Sequence, residues 1–548
     1  MLLLLALISV LRFLEINGSP TVRLGKTTVV GRDIPTFRQD FFGGIPFAEP
    51  PLGDLRLAPP VFKPSLDSST FNATNFGPGC LSVLNMGPQS EDCLSINVLR
   101  PSGTSTNHKL PVMFWTYGGA FFAGVSSTFN ASQIVAQSVQ RGTPIIYVSF
   151  NYRLGPLGFP QGHEARTRGA LNLALKDQLT ALQWVQQNIH VFGGDKNKVT
   201  IFGESAGAVM SSLLFLNSPI DKLARAAIFE SGSQTSLALF VPEVRETAWQ
   251  NFAHGVASCA SAPPNNTFDC LRKANSTEIF QGLLVPMPES NETVFAGVWN
   301  TVIDGPEGII PDLPSVLFKR GHFVKLPFIA GTNLDEGVIA FLPQAGTLFV
   351  MQTINSTQQI ASGFTDFVNP TPGTISLALQ AAIQKLLALY PDDPSLGSPF
   401  NTGNNTFGLS SQFKRAAAIE GDLLWTSSRR LWIEAAASAD VPTFGYLFTQ
   451  PQPTSPPEEG VVHGSEIAFV YGTPPDGSAS SLLLSRAMID YWVSFTTSLT
   501  PNDGRGSKRP QWSQFTLRNK TTSAQNKMLF SISQFGVISI EWRYQYAL

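Results

Sequence analysis

Apolar positions along the chain fall into two kinds of run. Leu110-Pro111-Val112-Met113-Phe114-Trp115-Thr116-Tyr117, Pro144-Ile145-Ile146-Tyr147-Val148-Ser149-Phe150 and Val199-Thr200-Ile201-Phe202 are short and near-continuous, the pattern of strands covered on both faces. Leu175, Leu179, Leu182, Val185 and Ile189 instead fall at helical spacing and predict a helix over 173–189 that Gly193-Gly194-Asp195 stops. Segments 21–30, 94–99, 226–229, 326–330 and 444–448 read as further strands, and 206–216, 375–389 and 416–437 as helices. This alternation predicts an α/β fold with a central, mostly parallel sheet and helices on both faces. The prolines and glycines of Gly43–Gly53 predict a rigid, non-helical surface crossing. Thr449–Pro457 reads as a loop within one domain, and Phe535–Trp542 as a late strand or an edge hairpin.

Composition narrows the partners. Charged residues are 14% of 548 and the formal net charge is -2, with no basic stripe for nucleic acid. A neutral or apolar small molecule suits this surface better than a polyanion. Hydrophobic residues at 43% suffice for one large core. Met1–Val10 is an apolar run too short to cross a bilayer, soon interrupted by Arg12 and Glu15. It reads as the core of a secretory leader over residues 1–18, with a single domain over 19–548 and no stable membrane insertion. No basic residue precedes the run, and Ile16-Asn17-Gly18 matches a cleavage site only loosely. Glycosylation acceptors at Asn72, Asn130, Asn265, Asn275, Asn291, Asn355, Asn404 and Asn519 fit a secreted, extracellular protein. So do four cysteines in two close pairs, Cys80 with Cys93 and Cys259 with Cys270. Four cysteines permit three connectivities, of which the sequential one asks for the least chain reorganisation. Neither Cys-x-x-Cys nor His-x-x-x-His occurs, so no metal site and no cofactor is expected. We expect a monomer or a weak dimer.

One stretch organises the chemistry. The strand ending at Phe202 runs into Gly203-Glu204-Ser205-Ala206-Gly207, and a helix-compatible segment follows. A serine on such a strand-turn-helix projects at the carboxyl edge of the sheet, and small residues at 203 and 207 permit the close approach. The motif alone is weak, because a chain rich in Gly and Ser produces it by chance. A serine hydroxyl also needs a base and an orienting acid, which on this topology follow in the order Ser, acid, His. Downstream of Ser205 stand only His254, His322 and His463. His254 falls in a polar helix, His322 precedes a strand, and His463 lies in a Gly-flanked loop after one. For the acid, the loop after 326–330 offers Asp335 or Glu336, and spacing does not choose between them. Gly118-Gly119-Ala120, opening from the strand at Tyr117, could turn backbone N–H groups toward an oxyanion, with the Ala206 amide as a third donor.

These motifs together resemble the type-B carboxylesterase/lipase family, the cholinesterase-like branch of the α/β-hydrolases, and are closest to fungal secreted lipases and esterases. The likeness rests on Gly44–Pro51, Glu91-Asp92-Cys93-Leu94, Gly118–Phe121, Asn151-Tyr152-Arg153, Phe192–Asp195, Gly203–Gly207, Gly331–Gly337 and His463-Gly464, in this order along nearly the whole chain. It implies Ser205 as nucleophile, His463 as base and Glu336 as acid, with oxyanion donors at Gly119, Ala120 and Ala206. It also implies the sequential disulfides, a second shell of Glu204 and Ser231 around the acid, and a buried Arg56–Glu91 ion pair. The expected activity is carboxylic ester hydrolysis through an acyl-enzyme, on glycerides or other apolar esters, or on steryl, carotenoid or feruloyl esters. An amide or thioester hydrolase and a non-catalytic binding protein of the same fold are the alternatives. Fungal lipases of the family carry a long amphipathic lid between the first two cysteines, whereas Leu81–Asp92 is short and has no aromatic residue. Weak interfacial activation and no dedicated choline-ester activity are therefore expected. Phe121, Phe122, Phe341 and Leu342 are candidates for an acyl pocket or for plain core.

Overall fold

The computed structural model describes residues 18–284, 298–338, 353–369, 375–517, 525–530 and 536–540. The leader up to residue 17, the acceptors Asn291 and Asn519, and Phe341 and Leu342 lie outside them.

Among the described residues, eleven strands form the main sheet. They are β1 (Arg32–Ile34), β2 (Gln39–Pro46), β3 (Ser95–Pro101), β4 (Leu110–Thr116), β5 (Ile146–Phe150), β6 (Gly194–Glu204), β7 (Ala226–Glu230), β8 (Phe328–Asn333), β9 (Thr443–Phe448), β10 (Gln525–Phe530) and β11 (Gly536–Ile540). Their spatial order is β11-β10-β9-β8-β7-β6-β4-β5-β3-β2-β1. Pairing is parallel from β5 through β10, and antiparallel at the β1-β2-β3 edge and in the terminal β10-β11 hairpin. Every residue of β5, β7 and β8 is buried, which requires cover on both faces. Helices α1 (Ser132–Gln140), α2 (Leu173–Asn188), α3 (Ala206–Asn217), α4 (Ser411–Glu420), α5 (Ser427–Ser438) and α6 (Ala479–Ser498) are the main ones around it. Core side chains such as Phe114, Trp115, Phe202 and Trp492 are fully buried, and each large apolar side chain so buried contributes about 1.5–3 kcal/mol.

The differences from the sequence reading have physical reasons. Gly43–Pro46 does not cross the surface: it belongs to the buried strand β2, whose register on β3 shifts between Phe42 and Ile45. That bulge absorbs the glycine pair without breaking the strand. Thr21–Val30 is two strands, Thr21–Leu24 and Thr27–Val30, folded antiparallel at Gly25-Lys26. Phe535–Trp542 contributes β11, whose described residues pair with β10 as an edge hairpin. Helix α6 escaped the sequence reading although its signal is present. Leu484, Met488, Tyr491 and Phe495 are buried at helical spacing, and Ser478 Oγ caps the helix by accepting from the Ser481 N–H at 3.1 Å.

Both cysteine pairs are bonded sequentially, Cys80 to Cys93 and Cys259 to Cys270. Arg56 and Glu91 are both 4% exposed and joined by two hydrogen bonds of 2.6 Å. The Leu271 and Ala274 carbonyls accept from the same guanidinium, and Ser276 Oγ donates to Glu91, so the pair ties the first cysteine loop to the segment that directly follows the second. The acceptors Asn72, Asn130, Asn265, Asn275, Asn355 and Asn404 are all exposed. No helix among the described residues is long and apolar enough to cross a membrane.

Candidate active site

Parallel pairing brings the carboxyl ends of five neighbouring strands to one edge. Thr116 of β4 sits opposite Gly203 of β6, Glu204 opposite Glu230, Glu230 opposite Gly331, and Asn333 opposite Phe448. Each candidate group leaves the sheet at this edge, where open α/β sheets place their ligands.

Ser205 stands between β6 and α3 with φ 54° and ψ −127°, a conformation that costs a non-glycine residue about 1–3 kcal/mol. The surroundings enforce it. A Cβ at Gly207 would lie 2.0 Å from the Thr116 carbonyl oxygen, and one at Gly203 would lie 2.6 Å from the same atom. Only glycine lets the turn press this closely on the end of β4, and the Ser205 N–H is fixed by the Glu230 carbonyl at 2.9 Å. Helix α3 starts directly after Ser205, so its positive N-terminal end faces the hydroxyl.

Beside this turn, Gly119, Ala120 and Phe121 follow one another at φ 104°, 51° and 68°. Successive residues of this kind turn their N–H groups toward one concavity. Among the described residues the N–H groups of Gly119, Ala120 and Ala206 have no hydrogen-bond acceptor. Gly118 packs so tightly on the turn at Ser205 that a Cβ there would lie 2.9 Å from Ser205 Cβ. Phe121 is 2% exposed and packs edge-on against Phe159 at 5.1 Å, so it belongs to the core.

His463 comes from the long loop after β9. Its Nδ1 lies 2.6 Å from Glu336 Oε2, while Glu336 Oε1 accepts from Ser231 Oγ at 2.5 Å and from the Asn333 N–H at 2.6 Å. Asp335 points elsewhere and accepts from Ser398 Oγ and the Phe400 and Val461 N–H groups at 2.8–2.9 Å. His254 and His322 are exposed and stand on other elements.

The structure changes one expectation about the groups around Glu336. Ser231 does contact Glu336, but Glu204 stands on the other side of the imidazole, its Oε1 3.2 Å from His463 Nε2. Among the described residues Nε2 makes no hydrogen bond, to Ser205 Oγ or otherwise. Catalytic hydrogen bonds are often loose before substrate binds. Among the buried acids that escaped the sequence reading are two whose charge couples to His463. Glu466 is held by Asn333 Nδ2 at 2.6 Å, and both carboxyl oxygens of Glu420 are without a hydrogen-bond partner among the described residues. The available signal was a carboxylate flanked by apolar residues, in Glu466-Ile467-Ala468-Phe469-Val470 and Ala416-Ala417-Ala418-Ile419-Glu420. Among the described residues no cluster of His, Cys, Asp or Glu is arranged to hold a metal ion.

Charge follows from this crowding. Burial alone would lower the His463 pKa, but Glu204 and Glu336 more than offset it and raise it to about 9. Burial pushes Glu204 upward, opposed by His463 and reinforced by Glu466 and Glu336, and Glu466 rises to about 7, chiefly through burial. The neutral imidazole is the form that accepts a proton, so activity should fall as pH drops through the raised His463 value. The acid limb of kcat/KM is therefore expected above the ordinary histidine range, and Glu204→Gln should move it to lower pH. A pH profile of the two proteins checks this, and an unmoved limb would exclude the coupling.

The carboxylesterase family model matches residues 18–534. A secreted lipase of Botryotinia fuckeliana is 34% identical, over 91% of this chain and 88% of its own. A Geotrichum candidum lipase is 35% identical over 88% and 87%, and a secreted triacylglycerol lipase of Gibberella zeae 32% identical over 90% and 85%. The crystal structure of Aspergillus niger EstA superposes with a TM-score of 0.79 at 24% identity, covering 96% of each chain. The architecture is thus the α/β-hydrolase fold. From the family match and these relatives, the chain belongs to the carboxylesterase family.

Proposed function

We propose that the protein is a secreted serine hydrolase of apolar carboxylic esters, working through an acyl-enzyme, with a leader over residues 1–18 and one domain over 19–548. Carboxylic ester hydrolysis is the activity of its family. The observation that carries the mechanism is the Glu336–His463 contact of 2.6 Å beside a serine on a strained turn, faced by N–H groups without acceptors. His463 takes the Ser205 proton as Oγ attacks the ester carbonyl, Glu336 holds the resulting imidazolium, and Gly119, Ala120 and Ala206 hold the oxyanion. The proton then passes to the leaving alkoxide, and water repeats the cycle on the acyl-enzyme. Secretion is supported by relatives named as secreted, by the two disulfides and by the exposed acceptor asparagines.

Relatives named as lipases favour glycerides and other apolar acyl esters as substrates. The segment between Cys80 and Cys93 bears on how they are met. It is short and pinned by Ser82 Oγ, which donates to the Phe122 carbonyl at 2.9 Å. With so little apolar face to swing, the rate should rise smoothly through the solubility limit of tributyrin. A sharp jump there would overturn that expectation. Hydrolysis of a p-nitrophenyl ester chain-length series, with triglyceride, steryl and feruloyl esters alongside, tests the function. Turnover of apolar acyl esters supports it, whereas turnover of none would leave a binding protein on this fold.

A further inference from the structure

The helix between the acid loop and β9 is not regular. Between α4 and α5, Gly421–Thr426 is a π-helical turn, a rare widening that recurs at functional sites. The start of this turn supports the acid loop. A Cβ at Gly337 would lie 1.9 Å from the Ala417 carbonyl oxygen and 2.6 Å from the Gly421 nitrogen, and one at Gly421 would lie 3.7 Å from Glu336 Cβ. Its fifth residue reaches the base. The Trp425 indole lies over the His463 imidazole with ring centroids 4.4 Å apart and planes inclined by 31°. Trp425 is 6% exposed, and among the described residues its buried Nε1 has no hydrogen-bond partner. The indole is thus held by apolar packing, among a cluster that includes Phe413 and Leu424, and by its face on the imidazole.

Three groups thus surround one ring: Glu336 at Nδ1, Glu204 near Nε2, and an aromatic face. Glu466 and Glu420 are the other titratable groups whose charge is felt between themselves and His463. We propose that Trp425 is a positioning residue for His463, its indole face fixing the plane of the imidazole and stabilising the cation formed when His463 takes up a proton. This rests on the reading of His463 as the base. Attraction between a cation and an aromatic face is strongest for Trp, weaker for Phe and absent for an aliphatic side chain. Burial pushes the Glu420 pKa upward, against the pull of the His463 charge.

The test compares wild type, Trp425→Phe and Trp425→Leu by two readouts. One is the pH profile of kcat/KM on p-nitrophenyl butyrate, with kcat and KM measured separately. The other is the titration midpoint of His463 followed by NMR, which needs no turnover. Trp425→Leu should lose about 3- to 30-fold in kcat with KM little changed, the range a cation–π contact spans. Its midpoint and the acid limb of its profile should both move to lower pH, because the cation has lost a stabilising partner. Trp425→Phe should shift in the same direction by a smaller step, and it decides the matter if the Leu variant does not fold. Midpoints that stay put in the folded variants, or a loss confined to KM with a changed chain-length preference, would overturn the proposal and leave Trp425 as pocket lining. If wild type turns over no ester, the reading of His463 as base fails, while the NMR midpoints still report whether the indole acts on the imidazole.

Discussion

Replacing Ser205 by Ala should lower kcat for ester hydrolysis by about 10⁴–10⁶-fold while the fold stays intact. The loss is large because no later step can proceed: without Oγ there is no acyl-enzyme, and His463 has no proton to take. Some rate above water should remain, since the amides of Gly119, Ala120 and Ala206 still stabilise an oxyanion formed by direct attack of water. A second replacement separates chemistry from stability. Ser205→Gly removes the same hydroxyl, but glycine adopts φ 54°, ψ −127° without the Cβ penalty. Relief of about 1–3 kcal/mol of strain outweighs the about 0.5–1 kcal/mol of chain entropy that glycine costs. Ser205→Gly should therefore be inactive and unfold at a higher temperature than wild type, whereas Ser205→Ala keeps its Cβ and gains no such relief. Thermal unfolding and p-nitrophenyl ester turnover of the three proteins measure both effects. Turnover near the wild-type rate in Ser205→Ala would place the nucleophile elsewhere.

What the sequence displayed and what it hid follow one physical division. Strands β4 and β5 and the buried end of β6 from Val199 announced themselves because a strand segment covered on both faces must be apolar throughout. The turn at Ser205 was legible because its geometry tolerates only small residues at 203 and 207. Strand β2 was misread because Gly43, Gly44 and Pro46 are local breakers, while the ladder to β3 that tolerates them is a long-range partner. The side-chain network was hidden for a related reason. Glu204 precedes the nucleophile in sequence, yet it meets His463, and Trp425 meets the same ring from a helix that local pattern alone reads as regular. Such contacts join residues from separate elements, and nothing in local periodicity encodes them.

The neighbours Asp335 and Glu336 are the sharpest case, because spacing left them equivalent and the structure gives them opposite tasks. Glu336 faces His463, the proposed base, so Glu336→Gln should reduce kcat by about 10⁴-fold. A glutamine cannot balance the imidazolium. Its amide can also donate to Nδ1, which favours the tautomer with the proton on Nε2, and that tautomer cannot accept from Ser205. Binding of substrate should be nearly unaffected, since Glu336 is 1% exposed and lies behind the imidazole. Asp335 instead fastens the backbone: its carboxylate accepts from Phe400 and Ser398 on one oxygen and from Val461 on the other, two residues before the base. In Asp335→Asn one oxygen becomes an amide that cannot accept, so at least one buried N–H loses its partner at a cost of about 1–3 kcal/mol. The expected result is a lower unfolding midpoint with kcat reduced only as far as the loop carrying His463 loosens. The two variants, compared by unfolding and by steady-state kinetics, should separate cleanly: one stable and inactive, the other less stable and active. The reverse pattern would make Asp335 the acid, and comparable losses of activity in both would mean that the carboxylates act on His463 together.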